Sequence, residues 1–412
     1  MIRSFFICFI LQLQKRSFTF SDRPPQRFRM FKSPPFWGGL GGAFLIFCFC
    51  FTPVTYSQII VDNFLEGASI AEITEEDTAY LKRGEGYIWV ATYGQGIYRF
   101  SKKDGKWMNF STASKNLQND IFHCLAVSKD YVWAGASEGL YIYDKKKNRW
   151  NLKKFSLGGE FGNWIRALHY DKSKNLLWIG RFRNLTQLDV AKQTYKDFDL
   201  TQGNDPKTNT FKSIRLDGDS LVWFGTESGV HVFRKKKRIT QNTWEFINNK
   251  KGFKQEGDAV SITDFLFEGE NVWFGTDEFV TPKQPEFNVG GLYRYNRKIK
   301  WDKIDKANGL PGNGVYCLER TGNVIWAGVY SFDKKEKAEY GSGLIIIDRF
   351  TGKVTPVDLN LLQVKTSTIT ILYFDGKDLW IGTDKGLYRL KIANPLAAWT
   401  IKKPPQKKAT NK

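Results

Sequence analysis

The chain reads as an all-β protein, a seven-bladed β-propeller of four-stranded antiparallel blades, and three observations predict this. One phrase recurs seven times, each copy centred on a tryptophan: Trp89, Trp133, Trp178, Trp223, Trp273, Trp326 and Trp380, spaced 44, 45, 45, 50, 53 and 54 residues apart. A period in that range marks a propeller or a solenoid. Each copy also divides into strands. In "VWFGTESGVHVF" the run "VWFG" alternates with period two, "TESG" supplies a short turn whose Gly229 tolerates positive φ, and "VHVF" resumes the alternation as a returning strand. Finally, an apolar run precedes each tryptophan and a Lys-rich turn with a further aromatic run follows the returning strand, which makes four short strands per copy.

Taken in chain order, the first element is a targeting segment. Residues 36–54, "FWGGLGGAFLIFCFCFTPV", carry no charge and follow Arg27, Arg29 and Lys32, the flank pattern of an export signal. A start at Met30 gives a cleavable signal, with Thr55 and Ser57 before Gln58. A start at Met1 leaves the run as one anchor, since about 20 apolar residues span a bilayer. Either way the remainder is expected outside the cytoplasm, periplasmic or secreted, with the membrane touched only through this segment if it stays uncleaved. The blades then follow over residues 58–400: "YIWVATYGQGIYRF", "YVWAGASEGLYIY", "LLWIGRFRNLTQL", "LVWFGTESGVHVF", "NVWFGTDEFV" continued by "GGLYRY", "VIWAGVYSF" continued by "GSGLIII", and "DLWIGTDKGLYRL". Residues 401–412 are a basic tail. A twisted blade must bury both faces against its neighbours. The indole is read as the wedge between blades, and the Gly two residues later as the gap that lets the chains approach.

The phrase W-x-G-T-x-x-G-L-x-x-Y resembles the two-component regulator propeller repeat, found in extracytoplasmic sensor regions of bacterial hybrid histidine kinases and in free-standing exported proteins. Its fullest copies are at Trp223, Trp273 and Trp380. The other four depart in the turn: "VATYGQG" lacks the first Gly, "AGASEG" has Ala for Thr, "IGRFRN" replaces Thr and the second Gly, and "AGVYSF" opens an insertion. The resemblance implies a sensor-type recognition domain. No kinase or receiver segment follows before Lys412, so signalling is expected to need a separate kinase.

Of the five cysteines, Cys8, Cys48 and Cys50 fall in or before the export segment. Cys124 and Cys317 each lie nine residues before their tryptophan, in blades well apart around the ring. A disulfide needs Cα atoms within about 7 Å, so two free, buried thiols are expected.

Binding residues are expected on the face where outer-to-inner and second-to-third loops gather. There the blade 5 and blade 6 turns grow long and should raise a wall with Phe279, Phe287, Tyr330 and Tyr340. Blade 3 offers Arg181 and Arg183 where its neighbours have a Thr-x-x-Gly turn, with Trp164 and Arg166 in the loop entering it. Arg beside an aromatic suits a carboxylate, phosphate or sugar, while pairing with nearby acids and simple loop variation are the plainer readings. Six third-to-fourth turns carry a net charge of +14, equal to the net charge of residues 58–412. They should form a basic face that favours an anionic surface, or else solvated turns that keep edges soluble. "RKKKR" at 234–238 is a turn of an exported protein, not a nucleic-acid patch. With three His in no metal-ligand spacing, no phosphate loop and no nucleophile elbow, no metal, cofactor or catalytic residue is expected. The function expected is a recognition module for a glycan, a peptide or an envelope partner protein. A cell-envelope scaffold and a lyase-type propeller enzyme using His123 or His169 are the alternatives.

Overall fold

A computed structural model describes residues 60–76, 86–237, 243–281 and 288–391; the export segment, the basic tail, Phe287 and Arg238 lie outside them. The described residues carry thirty strands, and seven four-stranded antiparallel sheets follow one another around a ring. β1 (Ile60–Phe64) is set aside for the closing blade. Blade 1 is β2 (Ile70–Glu75), β3 (Tyr87–Thr92), β4 (Ile97–Ser101) and β5 (Trp107–Phe110). Blade 2 is β6 (Cys124–Val127), β7 (Tyr131–Gly135), β8 (Leu140–Asp144) and β9 (Arg149–Lys153). Blade 3 is β10 (Ile165–Asp171), β11 (Leu176–Arg181), β12 (Leu185–Asp189) and β13 (Thr194–Phe198). Blade 4 is β14 (Phe211–Asp217), β15 (Leu221–Thr226), β16 (Gly229–Arg234) and β17 (Trp244–Ile247).

Blade 5 is β18 (Ile262–Glu268), β19 (Asn271–Thr276), β22 (Leu292–Tyr295) and β23 (Trp301–Ile304), with the short pair β20 (Phe279–Val280) and β21 (Asn288–Val289) inside its insertion. Blade 6 is β24 (Gly314–Thr321), β25 (Val324–Asp333), β26 (Ala338–Asp348) and β27 (Val354–Pro356). Its extra residues lengthen the hairpin rather than form a loop. Blade 7 joins both ends of the described chain: β28 (Ile369–Phe374), β29 (Asp378–Thr383) and β30 (Gly386–Lys391) take β1 as their fourth strand. The register runs from Ile60 opposite Lys391 to Phe64 opposite Leu387, and Asp62 holds Arg389 and Lys391 across it.

The repeat phrase has a residue-level cause. Six of the seven indoles are under 2% exposed and Trp223 is 4% exposed. Each packs on the following blade: Trp89 with Leu125 and Tyr143, Trp178 with Phe211 and Phe233, Trp273 with Val315 and Leu318, Trp380 with Ile73 and Val90. Burying an indole removes about 200 Å² from water, worth about 5 kcal/mol before entropy is subtracted. The glycine two residues on faces the first residue of the next inner strand. A Cβ on Gly225 would sit 2.9 Å from Ile262 and one on Gly382 2.8 Å from Ile70. The threonine after that glycine closes the turn. Thr226 donates to the Gly229 carbonyl at 2.8 Å and accepts from Ser228 N–H at 3.2 Å, and Thr92 and Thr383 repeat the pattern.

A second recurring device lies on the face of the first-to-second and third-to-fourth turns. The indole N–H of Trp89, Trp223, Trp273 and Trp380 donates to Glu76, Asp217, Glu268 and Asp375, at or just past the end of the inner strand of its own blade. The third-to-fourth turn of the following blade then sends one cation to the same carboxylate: Lys145 to Glu76, Arg297 to Asp217, Arg349 to Glu268 and Lys102 to Asp375. Lys235 reaches Asp171 in the same way at 2.8 Å, both side chains almost fully buried. Five blade junctions are therefore latched by ions. The turn charge of +14 is correspondingly not all free, because one cation from each of five turns is spent between blades. Cys124 and Cys317 are free and buried on β6 and β24, as the repeat geometry predicts.

Candidate binding mouth

The site begins with a defect in the ladders. In β2, β10, β14, β18, β24 and β28 the register skips the second or third residue of the inner strand, so Ala71, Arg166, Lys212, Thr263, Tyr316 and Thr370 have no partner across the ladder. A bulge bends the strand and re-aims the freed side chain. Here all six, together with His123 just before β6, line one cavity of about 280 Å³ at the loop-side mouth of the central channel. Trp164, Tyr93, Glu72, Arg215 and Asp264 complete its wall.

The charges of this ring are engaged in pairs between blades. Arg166 donates to Glu227 at 2.6 Å, and Lys212 meets Asp277, which also accepts from Ser261 and Tyr330. Burial raises the Asp277 carboxyl, yet Lys212 and these hydroxyls outweigh it and hold the group below the usual carboxylate range. Tyr316 donates to Glu339 at 3.1 Å. Aromatic faces flank the pairs. Trp164 stacks on Phe182 with centroids 5.0 Å apart and planes 5° apart, and His123 bridges Trp164 to the half-exposed Tyr93. Across the mouth Tyr316 stacks on Tyr330 at 4.2 Å.

Deeper in the channel Arg215 pairs with Asp264 at 3.1 Å, with Glu72 and Glu319 nearby. Protein surrounds both glutamates where they line the channel. Burial pushes both carboxyls up to about 7, against the pull of Arg215. Burial and the neighbouring Arg166 lower His123 to about 4, so it is neutral at physiological pH.

The structure treats the sequence-derived candidates differently. It brings Trp164 and Arg166 together at the mouth, the guanidinium lying 5.7 Å from the Trp164 ring and 5.5 Å from that of Phe182. Arg183 sits beside Phe182 on the same rim. Arg181 does not reach the mouth: it takes the turn-threonine position of blade 3, is 0% exposed, and donates to the carbonyls of Leu157 and Gly162 and to Asp197. It is a structural clamp on the loop entering the blade. Tyr330 is likewise buried, its ring lying over Gly314, where a Cβ would come within 2.3 Å of it. Tyr340 is half exposed on the blade 6 hairpin, and Phe279 is half-buried in the β20 ladder. Neither lines the mouth cavity. Sequence reasoning passed over Lys212, Tyr316, Glu227 and Asp277, because a ladder bulge leaves no composition signal. Glu227 and Asp277 alone share an offset, four residues past their tryptophans, that could have grouped them.

No family model matches the chain. Among curated proteins, Histidine kinase P4 of Formosa agariphila is 26% identical over 204 residues, 45% of this chain and 12% of that protein. Among solved structures, the extracellular domain of the two-component system BT4673 from B. thetaiotaomicron superposes with a TM-score of 0.59 and 18% identity, over 81% of this chain and 40% of that one. Virginiamycin B lyase from Staphylococcus aureus superposes at 0.56 with 12% identity, over 81% of this chain and 99% of that one. The chain thus spans less than half the length of the first two proteins. The seven-bladed fold is the one expected from the repeat resemblance.

Proposed function

We propose that this propeller is an extracytoplasmic recognition module that takes a saccharide at the mouth, and that it serves a two-component sensor. The observation that supports this best is the bulged ring. Ion pairs on blades 3 to 5 are flanked by aromatic faces on blades 1 to 3 and on blade 6 around one cavity, and a sugar offers both an apolar ring face and hydroxyls that donate to carboxylates and accept from guanidinium or ammonium groups. Because Arg166 and Lys212 already have anionic partners, the mouth suits a neutral ligand better than a phosphate. The likeness to a sensor's extracellular domain is consistent with an exported binding role. A glycan array probed with the protein should show saturable binding, weakened about tenfold by Trp164→Ala or Tyr316→Ala and little changed by salt. Binding unaffected by both substitutions overturns the reading. Deleting the blade 6 insertion is a poor test, since Glu278, fully buried, holds Phe332 N–H of that hairpin.

One observation favours an enzyme instead: His123 Nε2 lies 2.9 Å from Ser137 Oγ at the mouth rim. A histidine lowered to about 4 is a weak base at neutral pH. Turnover of a bound saccharide that His123→Ala abolishes, with binding retained, would establish that second reading.

A further inference from the structure

The opposite face carries a separate feature. The third-to-fourth turn of blade 5 presents Ile299 at 90% exposure, between Lys298 and Lys300. This exposure is built in. The Asn296 carboxamide oxygen accepts the backbone N–H groups of Lys298, Ile299 and Lys300 at 2.9 to 3.1 Å, and Arg297 is pinned to Asp217 of blade 4. The turn is therefore a rigid platform that aims an isoleucine into water. On the next blade round the ring, the equivalent turn exposes Phe350, 39% accessible, with Arg349 over its ring and Lys353 beyond. On the blade before, Lys236 and Lys237 stand exposed past the buried latch residue Lys235. Two neighbouring turns thus offer apolar tips, Ile299 and Phe350, and the turn before them adds exposed lysines. Acids are present on the same face, Asp219 and Glu270 exposed in the first-to-second turns and Asp302 beside Lys300, but the tips themselves carry cations.

Topology places both ends of the described propeller here as well. β1 starts and β30 ends at this face, since Ile60 is opposite Lys391 and Lys391 is opposite Asp378. The tail beyond Lys391 has five lysines, and only five residues separate Val54, the last of the uncharged run, from Ile60. That tether spans at most about 20 Å when extended.

We propose that the turns of blades 4 to 6 dock this face on an anionic lipid surface, Ile299 and Phe350 entering the interface while Lys236, Lys237, Lys298 and Lys300 meet headgroup phosphates. This is independent of the mouth and its ligand.

The test uses the full chain with Cys8, Cys48 and Cys50 replaced by serine and an environment-sensitive fluorophore on Ile299→Cys, reconstituted into vesicles of phosphatidylcholine with or without phosphatidylglycerol. A label on Tyr340→Cys, on the mouth face, reports the background. With phosphatidylglycerol, emission at 299 should shift to the blue and quenching by aqueous iodide should fall several-fold, with no change at 340. Lys236→Glu, Lys237→Glu and Lys298→Glu together should reduce the docked fraction at least about tenfold, as should about 1 M salt, where the screening length is about 3 Å. All three side chains are exposed, so the thermal midpoint should hold. An identical signal at 299 with and without phosphatidylglycerol overturns the proposal. So does protection of residue 299 by soluble alginate but not by lipid, which would assign the face to an acidic polysaccharide.

Discussion

At the scale of single residues, the environment redirects familiar side chains. The same guanidinium is a clamp at Arg181, where three acceptors surround it, and a mouth group at Arg166, where the ladder bulge turns it toward the channel. The sequence shows two arginines near one blade; only the register separates their roles. Titration follows the same logic. Glu72 and Glu319 rise from 4.5 to about 7 because protein surrounds them, so the folded chain retains protons that the unfolded chain releases between pH 4.5 and 7. Their contribution is fully present below pH 4.5 and is lost as pH rises through 7. The histidines act in the opposite direction. His123, His169 and His231 fall from 6.5 to about 4, 3 and 4 by burial, so their contribution is present above 6.5 and is lost as pH falls. Glu72→Gln should therefore raise stability at pH 8 by about 1 to 3 kcal/mol and leave it unchanged near pH 4. Urea titrations at the two pH values check this, and an equal effect at both would refute it.

At the scale of elements, the indole, the carboxylate below it and the cation from the next turn form one unit. Replacing Asp217 strands both Arg297 and the Trp223 N–H, so Asp217→Ala should cost about 2 to 4 kcal/mol. A double-mutant cycle of Asp217→Ala with Arg297→Ala should give a coupling of about 1 kcal/mol or more; additive losses would show that the latch contributes nothing. The tryptophans, their glycines and the blade count were legible because packing between blades imposes a fixed side chain at a fixed offset. The latch was not, since Asp217 and Arg297 are 80 positions apart and neither belongs to the phrase. The blade 6 insertion looked like a loop because Gly341 and Gly343 interrupt its strand pattern. In the structure Gly341 stands where a Cβ would lie 2.5 Å from Thr368, so the glycine lets the hairpin pass the neighbouring blade. The mouth was half legible: Trp164 and Arg166 follow from composition beside a divergent turn, whereas Lys212 and Tyr316 depend on bulges that only paired strands reveal.

At the scale of the whole molecule, closure governs behaviour. Removing β1 uncovers the backbone edge of β30 and leaves Arg389 without its Asp62 partner. The truncated chain should lose several kcal/mol of stability and self-associate through that edge; calorimetry and size-exclusion chromatography are the measurements, and a monomer of unchanged midpoint would contradict the role given to the strand. Asp62 and Arg389 are 327 positions apart. During synthesis the first strand emerges with its edge open and stays so until the final hairpin has been made. A shortened product, however well its earlier blades have packed, presents that edge to any protease or chaperone it meets. The ring thereby carries its own completeness check: only a chain delivered to its last strand can hide its first.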